Sequence, residues 1–460
     1  MDEWHNRFSE EANIGELHRQ DRLSELPDSL ILEILSLLDI KDVVRTSLLS
    51  KGWKNLWSTI PCLCLDFFEQ TPSVISSVLS QWKGPKILKF SFSFRRFFDP
   101  CSVIDSWLLF AIEKQVEELL LVLPNWPTLD TDEKVDYCLP QPLYSCSSIT
   151  KLTLEGCQLK IEDNVQWHQL KRLEIRFPEW LSGDAVNQIL LGAPLLEEFV
   201  LKCPKICENE YFNIQSTSLK MLKIQTGYIW RATTVLRIWA PNLLNFSIEA
   251  HFCGTCLLDV PSLTHARLSL VHTGGLAAQF EMLYHVFLSI RHVEKVTLSD
   301  WNIQMLVHYK KMDMVVPLSN SKILELNNEN AKDILDLVGM FPKLERLIVD
   351  QFSRKDRDVT SGDRTHIAMV DACNSLASAK MTFPCPSLLH LKTFEATWYM
   401  RDPSIIPAIQ ILLENAPILE KMVIRLRQGA SYPDTFILAQ EKVLSMPRSS
   451  PTAQVIITLI

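Results

Sequence analysis

Cysteine and histidine are the side chains of this 460-residue sequence that come nearest to a recognisable chemical site. Cys253 and Cys256 form a C-x-x-C pair, and His251 and His265 lie close to it in the sequence. Thiolates and imidazoles bind Zn²⁺, but a structural zinc site needs four of them at regular spacing. A single C-x-x-C without a second pair, or without a spaced histidine pair, is more typical of small apolar residues in a core. We therefore expect no metal and no cofactor.

The sequence also has none of the motifs that would indicate hydrolytic or nucleotide chemistry. Its eleven histidines and 54 carboxylates include no H-E-x-x-H, and no G-x-S-x-G occurs. Glycine accounts for only 13 of the 460 residues, well below the usual frequency of about 7%. Because glycine-rich turns let the backbone approach a phosphate closely, this composition favours stacked structure over a phosphate-handling enzyme. We predict no catalytic residues and no enzymatic activity.

The charge balance bears on the kind of partner. The net charge of −8 provides no bulk positive field for nucleic acid or an anionic membrane, so we expect neither as a partner. No stretch reaches the roughly 18 continuous apolar residues that a membrane span needs. The segment 1–20 is polar, without the hydrophobic run of a signal peptide, and is expected to be a disordered tail. These features predict a cytoplasmic and/or nuclear protein.

Residues 21–66 have the pattern of a small helical block. Pro27 followed by Asp28 is a typical helix start. A second short helix follows, and a third presents Trp53 and Trp57. Three short helices in about forty residues cannot bury this many apolar groups among themselves, so the block is predicted to contact a partner. The first helix carries an apolar stripe at helical spacing: Leu30, Ile31, Ile34, Leu35 and Leu38.

After residue 66 the sequence repeats an apolar residue, two others, and then an apolar-x-apolar strand. Clear copies are Leu170–Ile175, Leu196–Leu201 and Leu219–Ile224. Between Leu152 and Leu347 the repeats recur every 20 to 30 residues, the period of one strand and one return segment in a leucine-rich repeat. Return segments such as 186–191 and 405–413 have helical spacing and are expected to form helices.

Prolines support the register of these repeats, since a proline cannot extend a helix and so marks the corner before a strand. Pro386 leaves one strand ambiguous by three residues, because Leu388 and Leu391 both fit the pattern. Residues 350–384 interrupt the repeats, and their polar character predicts a long loop that trypsin cuts first. The prolines that lie two residues before the opening leucine are Pro194, Pro241, Pro261, Pro342 and Pro417.

Both ends of the chain resemble one plant protein family. Asp21–Leu35, together with Ser50–Trp53, closely resembles an F-box, and the continuation through Leu56 and Trp57 is similar to the plant F-box/LRR subfamily. The runs Leu391–Met422 and Leu444–Pro451 resemble the FBD domain of that subfamily. The resemblance implies an α/β fold, with a three-helix F-box at 21–66 followed by a leucine-rich-repeat solenoid with a parallel sheet on its concave face. The repeats would span 67–349, with FBD-like repeats at 385–460 after the 350–384 loop.

The resemblance implies the substrate-recognition subunit of a Skp-cullin-F-box ubiquitin ligase, non-catalytic in itself. Its F-box would bind a Skp-type adaptor, and through it cullin, while the solenoid holds an unknown target protein. Gly52 stands where the family commonly has arginine, and a helix-interior glycine costs roughly 1 kcal/mol relative to alanine, so adaptor affinity is expected to be weakened. The residues carried over as adaptor-facing are Leu26, Pro27, Leu30, Ile31, Ile34, Leu35, Val44, Leu48, Leu49 and Trp53.

Two alternatives remain at this point: a non-degradative F-box scaffold, and a small-molecule co-receptor of the F-box/LRR type. An autonomous enzyme is disfavoured.

The target-binding face is predicted from the strand pattern, because residues between the buried apolar positions line the concave sheet. Basic residues precede acidic ones along this face, with acidic residues dominating from Glu325 onward. Such a face would orient an elongated partner, although the same residues would also suit a merely solvated surface. As solvated residues, Arg176, Lys202 and Lys223 are expected to tolerate charge reversal. The predicted face comprises Glu155, Glu174, Arg176, Lys202, Lys223, Gln225, Glu249, Arg267, Glu325 and Glu395.

Overall fold

A computed structural model describes most of the chain, and the described residues belong to two compact units, Met1–Gly156 and Cys157–Ile460. The predicted tail at 1–20, Gly52 and nearly all of the 350–384 interruption lie outside the described residues. The described ranges are 26–49, 53–67, 72–94, 101–123, 137–177, 181–202, 211–230, 235–252, 254–271, 276–312, 318, 320–327, 334, 337–338, 340–351, 388–399, 405–427 and 433–460.

The first unit begins with three short helical segments. They are the α-helices α1 (Asp28–Leu35) and α2 (Ile40–Thr46), followed by a 3₁₀ helix at Trp53–Thr59. Pro27 precedes α1 with an extended backbone, φ −57° and ψ 143°, and Asp28 lies in the first turn, as predicted. The third segment is a 3₁₀ helix and not an α-helix. The segments share one small core formed by Ile31, Leu35, Ile40, Val43 and Trp53.

Four parallel strands complete the first unit in the order β1-β2-β3-β4. They are β1 (Cys62–Phe67), β2 (Lys89–Phe94), β3 (Glu118–Val122) and β4 (Lys151–Glu155). The connections carry α3 (Pro72–Gln81), α4 (Cys101–Glu113) and α5 (Gln141–Tyr144). β1 lies at the end of the segment predicted as F-box, so the last residues of that segment belong to the sheet. Gly156 follows β4 with φ +72°, and a Cβ there would meet the Leu123 carbonyl.

The second unit contains a larger parallel sheet in the order β5-β6-β8-β10-β12-β13-β14-β15-β16-β17-β18. Apolar residues at alternate strand positions, such as Leu173 with Ile175 and Leu222 with Ile224, are buried. This confirms the predicted fold class and strand positions; β18 was not predicted. The strands are β5 (Arg172–Arg176), β6 (Glu198–Lys202), β8 (Met221–Trp230), β10 (Asn245–Phe252), β12 (His265–Val271), β13 (Lys295–Ser299), β14 (Ile323–Asn327), β15 (Arg346–Asp350), β16 (Thr393–Tyr399), β17 (Lys421–Arg427) and β18 (Gln454–Leu459).

The predicted proline corners are tight turns. At Pro194 the Leu196 amide donates a hydrogen bond to the Ala193 carbonyl, with 3.1 Å between nitrogen and oxygen. The turns at Pro241, Pro261, Pro342 and Pro417 have the same bond pattern, and each strand starts four residues after its proline.

The same hydrogen bond settles the ambiguous register near Pro386. There the Leu391 amide donates to the Leu388 carbonyl at 3.3 Å, so Leu391 and not Leu388 opens that repeat. Strand β16 then begins at Thr393, and Phe394 is its first buried residue.

The return segments of the second unit are of two kinds. Some are helical, as predicted, but three form a second parallel sheet in the order β11-β9-β7, which the sequence analysis missed. These are β7 (Tyr211–Gln215), β9 (Val235–Trp239) and β11 (Thr255–Asp259). The helices are α6 (Gly183–Gly192), α7 (Leu276–Ser289), α8 (Asp300–Lys311), α9 (Ile405–Asn415) and α10 (Pro433–Leu444).

Candidate functional site

The helical segment of the first unit exposes an unusual amount of aliphatic surface. Leu37 and Leu48 are each 86% exposed, and Leu49 is 65% exposed. Leu30 and Ile34 lie one turn apart on the solvent side of α1, and Leu38 continues that row beyond its end. Six large apolar side chains exposed within twenty residues of the chain indicate an interaction surface. We call these six residues the F-box surface: Leu30, Ile34, Leu37, Leu38, Leu48 and Leu49.

The ten residues predicted to face the adaptor divide by burial. Leu30, Ile34, Leu48 and Leu49 belong to the F-box surface; Pro27 is also exposed, and Leu26 and Val44 are half-buried. The remaining three, Ile31, Leu35 and Trp53, are 2%, 0% and 5% exposed and lie in the chain's own core. Because these three side chains are buried, they support the exposed residues from within the core.

Sequence analysis missed Leu37 as a surface residue. Helical spacing puts Leu37 seven residues after Leu30 and three after Ile34, at the edge of the same stripe. In the structure α1 ends at Leu35, and Leu37 lies in the turn beyond, where the helical period no longer decides which way a side chain faces. Two signals were available: this spacing from Leu30 and Ile34, and two adjacent leucines directly before a polar break.

Comparison with known proteins adds to this geometry. Residues 23–65 match the F-box domain model, and residues 78–450 match the model described as At1g61320/AtMIF1, LRR domain. The second match covers well over half of the chain. This chain belongs to the plant F-box/FBD/LRR-repeat family. The F-box is the module that binds Skp1-type adaptors. Together with the LRR domain, it gives the chain a substrate-recognition role of the general F-box kind. F-box/LRR proteins are generally non-catalytic adaptors.

Individual relatives from Arabidopsis thaliana agree with the family match. The F-box/LRR-repeat protein At3g26922 is 30% identical over 260 residues, which cover 54% of this chain and 82% of that protein. The putative F-box protein At1g49610 is 27% identical over 352 residues, covering 74% of this chain and 86% of its own length. The putative F-box/FBD/LRR-repeat protein At1g66290 is 23% identical over 474 residues, covering 97% of this chain and 96% of that protein.

The second feature of this F-box/LRR chain that could bind a partner is one face of the large sheet in the second unit. Strand register aligns the residues between the buried apolar positions into rows, and we call this side the open face. A neighbouring row carries Arg176, Lys202, Gln225 and Glu249. The central row runs Glu174, Val200, Lys223, Ser247, Arg267, Thr297, Glu325, Ile348, Glu395 and Val423.

Register thus brings the predicted face together on one side of the second unit, with the exception of Glu155. That residue ends β4 in the first unit. Gln225 and Glu249 contact each other, the Gln225 amide donating to a Glu249 carboxylate oxygen at 3.0 Å.

Glu174 is the most enclosed carboxylate of the open face, with a side chain only 10% exposed. The Arg176 Nε donates to Glu174 Oε1 at 2.7 Å, and the Lys202 ammonium lies 3.5 Å from the same oxygen. Burial alone would raise the pKa of Glu174, but the hydrogen bond from Arg176 and the charges of Arg176 and Lys202 outweigh it and lower the pKa. The two cations therefore allow a charged carboxylate to remain at a poorly hydrated position.

Two further carboxylates repeat this arrangement. Glu325, 18% exposed, lies 2.9 Å from Arg267 and 3.3 Å from Lys295. Glu395, 17% exposed, lies 2.5 Å from Arg346 and 3.2 Å from Arg425. At Glu395 burial again acts to raise the pKa, and the hydrogen bonds and charges of the two arginines hold the pKa below its ordinary value. Each cluster of one carboxylate and two cations carries one net positive charge.

These clusters correct two expectations. Acidic residues do not dominate the face from Glu325 onward, because Arg346 and Arg425 flank Glu395 there. Charge reversal at Arg176 and Lys202 is also not a neutral surface change. Glutamate at both positions would leave the enclosed Glu174 between two like charges, which would be expected to destabilise the fold.

Arg427, on the strand that also carries Arg425, is a further cation of the open face that the sequence did not indicate. The Arg427 guanidinium donates to an Asp350 carboxylate oxygen at 3.1 Å and to the Gln351 carbonyl at 3.1 Å, and it lies 5.5 Å from the centre of the Tyr399 ring. Burial raises the pKa of Asp350 in spite of the Arg427 charge. These contacts join β15, β16 and β17 at their carboxyl ends.

The C-x-x-C pair falls partly inside the described residues. Cys256 points inward from β11, and burial raises the pKa of its thiol to about 12, so it stays protonated at neutral pH. Cys253 lies outside the described residues. Within the described ranges, no three His, Cys, Asp or Glu side chains come together in a way that could hold a metal ion. None of the described helices has the length and apolar character needed to cross a membrane.

Proposed function

We propose that the chain is the substrate-recognition subunit of a Skp-cullin-F-box ubiquitin ligase in the cytoplasm and/or nucleus. The observation that carries the proposal is the F-box surface, a group of five leucines and one isoleucine exposed to solvent on a segment that matches an F-box model. This surface would bind a Skp-type adaptor and, through it, cullin. The open face would hold the target protein.

The mechanism proposed is proximity. The ligase would hold a target near a ubiquitin-charged conjugating enzyme, which raises the effective concentration of the target's lysines at the reactive thioester. No residue of this chain needs to make or break a bond. The chain would increase the rate of ubiquitin transfer by holding the target and the adaptor at the same time.

Binding of the adaptor is tested with the full chain and two matched variants. Leu48 in the F-box surface is 86% exposed and Leu191 in α6 is 84% exposed, so either leucine can be changed without removing a core contact. Leu48→Glu would place an unpaired charge in an apolar contact, and we expect adaptor capture to fall by about tenfold or more. Leu191→Glu should capture adaptor as the wild type does, measured by co-purification with a Skp-type adaptor.

Leu30→Glu and Ile34→Glu extend this test to α1, where the two side chains are 45% and 41% exposed. Both variants should keep the wild-type circular dichroism spectrum and lose adaptor. Wild-type capture by Leu30→Glu, Ile34→Glu and Leu48→Glu together would refute adaptor docking through this surface.

The small-molecule co-receptor gains no support from the described residues. The depression on the open face along β8 to β13 has a volume of about 190 Å³, below the roughly 300–1,000 Å³ of pockets that enclose a small ligand. The depression also opens to solvent, and its lining includes Lys223, Arg267 and Lys295 beside apolar and small polar residues. That geometry suits a segment of another protein better than an enclosed ligand.

A further inference from the structure

We propose that the open face recognises an extended target segment rich in aspartate and glutamate, lying across β8, β10, β12 and β13. The proposal rests on the proposed function, since it specifies the target class of that same receptor. The residues that would hold the segment are Lys223, His265, Arg267 and Lys295, which we call the basic patch. They surround one depression of the sheet.

The shape of the depression follows from strand register. Ser247 on β10 lies directly between Lys223 on β8 and Arg267 on β12 in the central row. Thr297 on β13 is the next residue along that row, beyond Arg267. Short hydroxyl side chains thus alternate with long cationic ones, so the floor is low where Ser247 and Thr297 lie. A peptide backbone would fit over this floor with its side chains between the cations.

The charges of the basic patch are only partly neutralised. Lys223 forms no ion pair with any other described residue, and Arg267 and Lys295 share the single carboxylate of Glu325. That arrangement leaves net positive charge in a chain whose overall net charge is −8. Glu325 also fixes the positions of two cations before any ligand binds, which reduces the entropy lost on binding. A fixed local excess of positive charge is complementary to carboxylates.

The spacing of the cations indicates an extended segment. Lys223 and Arg267 lie two strands apart, which puts about 10 Å between their Cα atoms at the usual strand spacing. Three residues of an extended polyproline II segment rise about 9 Å and complete one turn, so the side chains at positions i and i+3 face the same side. Carboxylates at positions i and i+3 of a segment crossing the strands would therefore reach both cations.

The probe for this proposal is a display library of random peptides about ten residues long, selected on the full chain bound to its adaptor. We expect the wild-type protein to enrich aspartate or glutamate in pairs separated by three positions. Binding of the enriched peptides should weaken at least tenfold as NaCl rises from about 50 mM to about 300 mM, because salt screens exposed charges. Replacing the paired carboxylates by amides should abolish binding.

A double variant and a matched control assign that binding to the basic patch. Lys223→Gln with Arg267→Gln should weaken the enriched peptides by about tenfold or more. Lys322→Gln removes one exposed lysine from the same unit at the residue before β14, where it pairs with Glu294 at 2.9 Å, and should leave peptide affinity unchanged. Adaptor capture should be the same for all three proteins, so a failure of the proposed adaptor function would show separately.

Several outcomes would overturn the proposal. Selected peptides without carboxylate enrichment would show that charge does not define the target. An unchanged affinity of the folded Lys223→Gln, Arg267→Gln protein would move recognition away from the basic patch. Competition by free inorganic phosphate at the same concentration as the peptide would reduce the patch to a simple anion site.

Discussion

Each open-face cluster consists of a poorly exposed carboxylate held between two more exposed cations. At Glu395 the cations are Arg346 and Arg425, on the strands that flank its own. The carboxylate therefore links three consecutive repeats, because all three strands contribute to it. Sequence analysis placed Glu174, Glu325 and Glu395 on this face correctly. Apart from Arg176, which shares β5 with Glu174, the cations lie on other strands and only the strand register brings them to the carboxylates, so the sequence alone could not pair them.

The lowered pKa of Glu395 predicts a pH dependence of stability. A carboxylate whose pKa is lower in the folded than in the unfolded chain adds stability above its ordinary value near 4.5, and that stability is lost as the pH falls through its folded pKa. Glu395→Gln should therefore lower Tm at pH 7, by an amount that shrinks towards zero below pH 4.5. Arg346 and Arg425 are 46% and 40% exposed, so solvent screening limits the effect to at most about 1 kcal/mol.

Glu294→Gln is the matched control for this measurement. Among the described residues Glu294 forms an ion pair only with Lys322, at 2.9 Å, and the Glu294 side chain is 62% exposed. An isolated exposed pair of this kind contributes little. Thermal melts of both variants and the wild type across the acid range distinguish the effect of losing the enclosed Glu395 from that of losing an exposed ion pair. The interpretation fails if Glu395→Gln and Glu294→Gln give the same Tm at every pH.

Among the elements, strands that carry the repeat signature were predictable, and so were the helical returns between them, but the returns that form strands were not. The signature combines alternating apolar residues with a proline two positions before the opening leucine, and both act locally. That proline forms a turn closed by a hydrogen bond across three residues, as at Ala193 and Leu196. Return segments lack such a local constraint. Helical returns such as α9 show helical spacing. β7 and β9 are as long as β5 and β6, but Asn209 and Thr233 stand where the repeat has its opening apolar residue.

The second sheet makes a prediction about β7, where Phe212 is 1% exposed and its neighbour Tyr211 is 59% exposed. Phe212→Ala would remove a fully buried ring and should destabilise the second unit by about 3–5 kcal/mol. Tyr211→Ala on the opposite face of the same strand should cost much less, because the ring is largely in solvent, where its contact is a cation–π interaction with Arg237 at 5.9 Å.

Chemical denaturation of Phe212→Ala and Tyr211→Ala, followed by circular dichroism, checks this prediction. Equal destabilisation by the two changes would contradict the alternation of β7. A larger loss for Tyr211→Ala would mean that the strand presents its other face to the core.

For the whole molecule, the two candidate surfaces lie in different compact units. The F-box surface belongs to Met1–Gly156, and the basic patch belongs to Cys157–Ile460. Changes at positions without shared contacts usually add in free energy. A loss of adaptor binding through Leu48→Glu should therefore leave peptide binding intact, and the open-face double variant should leave adaptor binding intact. Loss of either contact should nevertheless prevent the chain from holding the adaptor and the target together.

Reconstituted ubiquitin transfer tests the whole proposal and separates a ligase subunit from a non-degradative scaffold. The substrate would be a carrier protein with surface lysines, fused to a carboxylate-paired peptide selected on the open face. With adaptor, cullin and a charged conjugating enzyme, the wild-type chain should accelerate ubiquitination of this carrier by about tenfold or more over a carrier with amide-substituted peptide, since binding raises the local lysine concentration. Leu48→Glu and the Lys223→Gln, Arg267→Gln variant should each remove the acceleration, and Leu191→Glu should retain it. A wild-type complex that binds adaptor and carrier together without transferring ubiquitin would instead establish the scaffold.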